Sequence, residues 1–138
     1  DIYLFSFCKA EGDEKAIEAI KSVLPSYVKC SVCLYDGDVD GFLSTYSSVE
    51  IMVTLRFHSL ILSALYGQKV YPLVYSNKTL NVLKDSLHYS GSYMLLKDLD
   101  SWNPCNLLQE AEFVNYNREE FALSAERQFM QLDKFLNT

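Results

Sequence analysis

With 138 residues, of which 49% are hydrophobic and 22% are charged, the chain has the composition of a folded domain and not of a disordered segment. Its formal net charge of −6, without any cluster of Lys and Arg, argues against nucleic acid as a partner. No apolar run approaches the roughly 20 residues that a transmembrane helix requires.

The hydrophobic pattern, taken in chain order, predicts an alternation of strands and helices. Strands are expected over residues 2–8, 28–35, 49–55, 69–75 and 92–96, and helices over residues 13–24, 39–46, 57–66, 77–87, 106–113 and 117–136. Such an alternation favours right-handed crossovers and a mainly parallel sheet. We therefore expect an α/β fold in which residues 1–138 form a single Rossmann-like domain, a three-layer sandwich around a five-stranded sheet. Pro72, within the fourth strand, indicates an edge position or a bulge.

The chain starts at Asp1 directly with a strand-like segment, from which we expect that an N-terminal portion is missing. Cys30 and Cys33 have the spacing of a redox or zinc motif, but no second such pair follows. Both lie in a predicted strand, where residues three apart face opposite sides. We expect buried, reduced thiols, no metal site and a cytoplasmic location.

An acidic turn at residues 36–41 resembles the start of a calcium loop, because three aspartates alternate and a glycine takes the sixth place. The twelfth position of such a loop requires Glu, and Ser47 stands there. We therefore interpret this stretch as a solvated turn that opens a short helix.

Two strand-to-helix turns carry the polar residues of greatest interest. The first holds Arg56 and His58, and the second holds Ser76, Asn77 and Lys78. Because the carboxyl ends of parallel strands meet at one sheet edge, these side chains are expected to converge on a crevice. Two cations, an imidazole and two helix N-termini suit a small, multiply anionic ligand, such as a phosphorylated acid or a nucleotide diphosphate. The structural alternatives are a surface ion pair for Arg56, a capping or core role for His58, an N-cap for Ser76 and a solvated Lys78.

The order of these features resembles the polysaccharide pyruvyl transferase family. A strand leads to an Arg-x-His motif at residues 56–58, which opens an apolar helix that Gly67 ends, and a further strand leads to the turn at residues 76–78. The clear similarity covers residues 44–86. It implies a two-lobed fold of the GT-B glycosyltransferase type, of which this chain resembles the C-terminal lobe.

The resemblance also implies a bacterial transferase of exopolysaccharide biosynthesis. Such an enzyme moves a pyruvyl group from phosphoenolpyruvate to a hydroxyl of a polysaccharide precursor and forms a ketal, without a further cofactor. By position, Arg56 would hold the donor's carboxylate or phosphate, and His58 would transfer a proton or bind the anion. Ser76, Asn77 and Lys78 would contribute to substrate binding. We expect this chain to be inactive without the N-terminal lobe, because one wall of a cleft does not orient both substrates.

The residues alone are also consistent with two other functions. One is a GT-B glycosyltransferase lobe that binds a nucleotide-sugar, although the acidic Glu50 lies at the wrong end of the third strand to grip a ribose. The other is a non-catalytic Rossmann-like module that binds an anion or a partner. No GxGxxG, Walker or GxSxG sequence supports a dinucleotide, P-loop or nucleophilic-serine site.

Overall fold

The computed structural model describes the backbone of residues 1–136, and all of their side chains except those of residues 128, 131 and 132. The backbone groups into two compact units, residues 1–50 and the residues from Ile51 onward. Residues 137 and 138, the end of the predicted single domain, lie outside the described part. No helix within residues 1–136 is long and apolar enough to cross a membrane.

The first unit contains a parallel strand pair with two helices. Its strands are β1 (Ile2–Ser6) and β2 (Cys30–Leu34), and its helices are α1 (Asp13–Val23) and α2 (Val39–Ser47), with a 3-10 turn at Lys9–Glu11. The strands pair in register from Ile2 with Cys30 to Ser6 with Leu34. Edge-to-face contacts of Phe42 and Tyr46 with Phe5 and Phe7 form an aromatic core, with centroid distances from 5.0 to 5.8 Å.

The acidic turn before α2 is a helix cap, as predicted. The carboxylate of Asp38 accepts a hydrogen bond of 3.0 Å from the backbone N–H of Gly41. The carboxylate of Asp36 accepts one of 3.2 Å from the backbone N–H of Asp38. These carboxylates therefore hold backbone amides at the start of the helix.

The cysteines are free thiols, but the expectation that Cys30 and Cys33 are buried is wrong. Both are only partly covered, since they lie on a two-stranded sheet, and Cys105 is exposed. Burial still raises the pKa of Cys33, opposed by a hydrogen bond from Thr45 and assisted by the charge of Asp36. Within residues 1–136 no group of three or more His, Cys, Asp or Glu side chains is arranged to hold a metal ion.

The second unit contains the remaining elements. Its strands are β3 (Ile51–Thr54), β4 (Lys69–Val74), β5 (Met94–Leu95) and β6 (Glu112–Phe113). Its helices are α3 (Phe57–Tyr66), α4 (Asn77–Asn81), α5 (Leu107–Glu110) and α6 (Arg118–Leu136). A π turn at Val82–Ser86 continues α4, and 3-10 turns lie at Leu96–Ser101 and Pro104–Asn106.

Strand β4 is the centre of the second sheet. It pairs in parallel with β3 on one side. On the other side its start pairs antiparallel with β6 and its end pairs in parallel with β5. The α/β class and the parallel pairing are confirmed. The predicted strand count is wrong, because the described residues contain six strands in two sheets, of two and four strands, instead of five in one.

The edge position expected from Pro72 is also wrong, because β4 has neighbours on both sides. The pairing with β6 ends at Val70 and the pairing with β5 begins at Leu73, so Pro72 falls between them. A proline has no N–H to donate to a ladder. The gap between the two short strands therefore accommodates a residue that a continuous central ladder would exclude.

The helix predicted over residues 106–113 is mostly absent. Only Leu107–Glu110 is α-helical, and Ala111 turns the chain into extended β6, which pairs antiparallel with the start of β4. Lys69 Nζ lies 5.4 Å from the centroid of the Phe113 ring across this pair. Pairing with a free strand edge thus overrides the local helical pattern.

Aromatic residues fix the turns that follow β4 and β5. Trp102 stacks on Tyr71 at a centroid distance of 5.7 Å and donates a hydrogen bond of 3.1 Å from its Nε1 to the Tyr71 hydroxyl. The Tyr89 hydroxyl donates to the Val70 carbonyl over 2.7 Å. Burial raises the pKa of Tyr89 to about 12, so this hydroxyl stays protonated and remains a donor at neutral pH.

Candidate functional site: the carboxyl edge of the second sheet

Three parallel strands of the second unit end at one edge of the sheet. Thr54 is the last residue of β3 and pairs with Pro72, two residues before the end of β4. Val74, the last residue of β4, pairs with Leu95, the last residue of β5. The segments that leave these three ends are therefore neighbours, which is the usual place for ligands on an open α/β sheet.

The first of these segments places Arg56 at the N-cap of α3. Its backbone is extended, with φ −81° and ψ 138°, and its side chain does not cap the helix. The N–H groups of the first turn of a helix point out of its N-terminus and favour an anion there. The Arg56 side chain is partly exposed and His58 is exposed, so both are accessible from solvent.

The Phe57 ring joins the first segment to the second. The Nζ atom of Lys78 lies 5.3 Å from the centroid of the Phe57 ring, a cation–π contact. The His58 ring stands edge-on to Phe57 at a centroid distance of 5.9 Å. The structure thus brings Lys78 and His58, which are 20 positions apart in the sequence, to the same aromatic side chain at the start of α3.

Ser76 is an N-cap, the structural role considered for it from the sequence. Its Oγ accepts a hydrogen bond of 3.3 Å from the Thr79 backbone N–H and lies 3.1 Å from the Thr79 hydroxyl. Because α4 has only five residues and its N-terminus is capped, the expected contribution of two helix ends reduces to that of α3.

A pocket lies beside Ser76 and Asn77. It has a volume of about 420 Å³, and its lining consists of Val74, Tyr75, Ser76, Asn77, Leu80, Leu95 and Lys97. Arg56, His58 and Lys78 do not line this pocket. The predicted site residues therefore divide into two sets. Arg56, His58 and Lys78 lie at the start of α3 or contact its Phe57 ring, and Ser76 and Asn77 lie on the wall of the pocket.

A comparison with known protein families identifies the family of this chain. The family model of polysaccharide pyruvyl transferases matches residues 1–77, which is more than half of the chain. The chain belongs to the polysaccharide pyruvyl transferase family. No curated protein and no solved structure matches it.

The family match begins well before residues 44–86, the region whose sequence resembles the family most clearly. It extends through the first unit to residue 1, and it includes Arg56, His58, Ser76 and Asn77. It ends one residue before Lys78, so the link of Lys78 to this site rests on its contact with Phe57. As a member of this family the chain is assigned to a transferase that acts on a saccharide.

Two residues at this edge of the sheet, Lys97 and Thr54, were not singled out from the sequence. Lys97 follows the end of β5 by two positions, the same placement that singled out Arg56 after β3, and this spacing could have found it. No sequence pattern singled out Thr54. It is 3% exposed, and its hydroxyl has no hydrogen-bond partner among the described residues. A buried hydroxyl in this state costs about 1–3 kcal/mol unless water or a ligand satisfies it.

Proposed function

We propose that this chain takes part in the transfer of a pyruvyl group from phosphoenolpyruvate to hydroxyl groups of a saccharide, which forms a pyruvyl ketal. Family membership supports the transferase and the saccharide acceptor. The observation that carries the choice of donor is the contact of Lys78 and His58 with the one Phe57 ring at the N-terminus of α3.

Phosphoenolpyruvate carries a carboxylate and a phosphate ester on the same carbon, and it therefore requires more than one cationic partner. The guanidinium of Arg56 offers the planar pair of donors that carboxylate and phosphate accept together. Lys78, held against Phe57, supplies a point charge. The N-terminus of α3 adds the backbone N–H groups of its first turn.

The chemistry balances with one donor and two acceptor hydroxyls. The methylene carbon of phosphoenolpyruvate gains a proton, and the first hydroxyl oxygen adds to the electrophilic central carbon. Phosphate then leaves with the electron pair of the broken C–O bond, and the second hydroxyl oxygen adds. Two C–O bonds form, one C–O bond breaks, and the two hydroxyl protons end on the new methyl group and on phosphate.

In this scheme His58 and the cations have separate roles. His58 accepts the proton of an attacking hydroxyl, for which its exposed position next to Phe57 is suitable. Arg56 and Lys78 stabilise the negative charge that grows on the leaving phosphate.

Donor selectivity tests this proposal. Calorimetric titrations of the chain with phosphoenolpyruvate and with uridine diphosphate glucose should show binding of phosphoenolpyruvate and none of the nucleotide-sugar. Inorganic phosphate is the control for simple anion binding, and it should bind more weakly because it lacks the carboxylate. Binding of the nucleotide-sugar alone would instead indicate a glycosyltransferase lobe, and binding of neither would indicate a non-catalytic module.

A further inference from the structure

We infer that the pocket at the ends of β4 and β5 binds the acceptor, and that this acceptor is a saccharide with a negatively charged substituent, a phosphate or a carboxylate. The inference rests on the proposed function, because it assigns the second substrate of the same reaction. The pocket is lined by Val74 to Asn77, Leu80, Leu95 and Lys97.

The lining of the pocket suits a sugar ring better than it suits phosphoenolpyruvate. Val74, Leu80 and Leu95 form an apolar wall, and Tyr75 adds an aromatic side chain that is 56% exposed. The C–H faces of a pyranose pack on such surfaces, and the Asn77 amide donates to and accepts from hydroxyl groups. Phosphoenolpyruvate is small and multiply charged and has little apolar surface to cover this wall.

The charge of the pocket selects an anionic sugar. Its seven lining residues include one cation, Lys97, and no carboxylate. Lys97 is exposed, and no carboxylate within residues 1–136 forms an ion pair with it. A neutral sugar would leave this ammonium group without a partner, whereas a phosphate or uronate would form a charge-assisted hydrogen bond with it. The pocket lining thus carries one positive charge, although the net charge of the chain is −6.

The position of the pocket places an acceptor next to the proposed donor. Neighbouring strands of a sheet lie roughly 5 Å apart, so the ends of β3, β4 and β5 span about 10 Å. Asn77 on the pocket wall directly precedes Lys78, whose ammonium group contacts Phe57. A sugar in the pocket therefore extends a hydroxyl toward the group of Arg56, His58 and Lys78, as transfer between two bound substrates requires.

Titration with three sugar probes tests the inference. Glucose 1-phosphate and glucuronic acid represent the two sources of negative charge, and methyl glucoside is the neutral probe. We expect at least one anionic probe to bind more tightly than methyl glucoside, and the stronger one identifies the substituent. Lys97→Gln should weaken its binding about tenfold or more, because a charged hydrogen bond is lost, and should leave phosphoenolpyruvate affinity unchanged.

Lys15→Gln is the matched control, since Lys15 is an exposed lysine on α1 and its loss changes the net charge equally. It should leave the binding of all probes unchanged. Equal binding of all three sugars, no binding of either anionic sugar, or an equal effect of Lys15→Gln would overturn the inference. So would a loss of phosphoenolpyruvate affinity in Lys97→Gln, because the pocket would then belong to the donor.

The same titrations separate this inference from the proposed function. If an anionic sugar binds through Lys97 but phosphoenolpyruvate does not bind at all, the pocket is a saccharide site and the proposed donor is wrong. If phosphoenolpyruvate binds and Arg56→Ala weakens it, while no anionic sugar binds, the donor assignment stands and the acceptor pocket is wrong.

Discussion

Replacement of Arg56 with alanine should weaken phosphoenolpyruvate binding by about 1.5–3 kcal/mol, or roughly 10-fold to 150-fold in the dissociation constant. The reason is the loss of a bidentate cation at the N-terminus of α3, which no other residue of that turn replaces with the same geometry. Calorimetric titration of the variant measures the loss directly. The fold should stay nearly intact, because Arg56 does not cap the helix with its side chain.

Arg118→Ala is the matched control for this prediction. Arg118 is an exposed arginine at the start of α6, so its removal changes the net charge of the chain by the same amount. It should leave phosphoenolpyruvate affinity unchanged. If Arg56→Ala unfolds the protein, or if both variants lose affinity equally, then Arg56 has a structural or non-specific role and does not hold the donor.

Leu60→Ala should destabilise the second unit by about 2–5 kcal/mol, the range for truncation of a buried leucine. Leu60 lies on α3 and is 1% exposed, so its side chain helps to fix the helix that presents Arg56 and His58. Urea unfolding followed by the fluorescence of Trp102, the one tryptophan of the chain, reports on this unit. The midpoint should fall while the slope with urea stays unchanged.

Leu65→Ala removes the same atoms from the same helix and is the internal control. Leu65 is 47% exposed, so we expect a change within about 0.5 kcal/mol. Similar losses in the two leucine variants would contradict this packing of α3, because Leu65 would then be as well buried as Leu60.

The fold near the proposed donor site could be predicted from the sequence because its signals are local. A short apolar run gives β3, helical periodicity gives α3, and Gly67 ends the helix with a positive φ of 65°. The Arg-x-His motif therefore falls at a strand-to-helix boundary that the sequence places within one or two residues. The same reasoning places Ser76 at the start of the next helix.

Features that depend on distant partners could not be predicted in this way. Strand β6 exists because the start of β4 offers a free edge, and its own residues carry a helical pattern. The role of Phe57 requires Lys78 to reach its ring from another turn, which no spacing reveals. Ser76 and Asn77 likewise line a pocket apart from Arg56, His58 and Lys78. This depends on β5 and Lys97, which form part of the pocket wall.

The most direct test of a donor site at this edge is a titration of the isotopically labelled chain with phosphoenolpyruvate, followed by the backbone amide signals in NMR spectra. We predict that the largest shifts occur at residues 56–59, the cap and first turn of α3, and at Lys78. Shifts at the pocket residue Lys97 should be smaller. Shifts that cluster elsewhere in the chain, or saturation without any change at residues 56–59, would contradict the account.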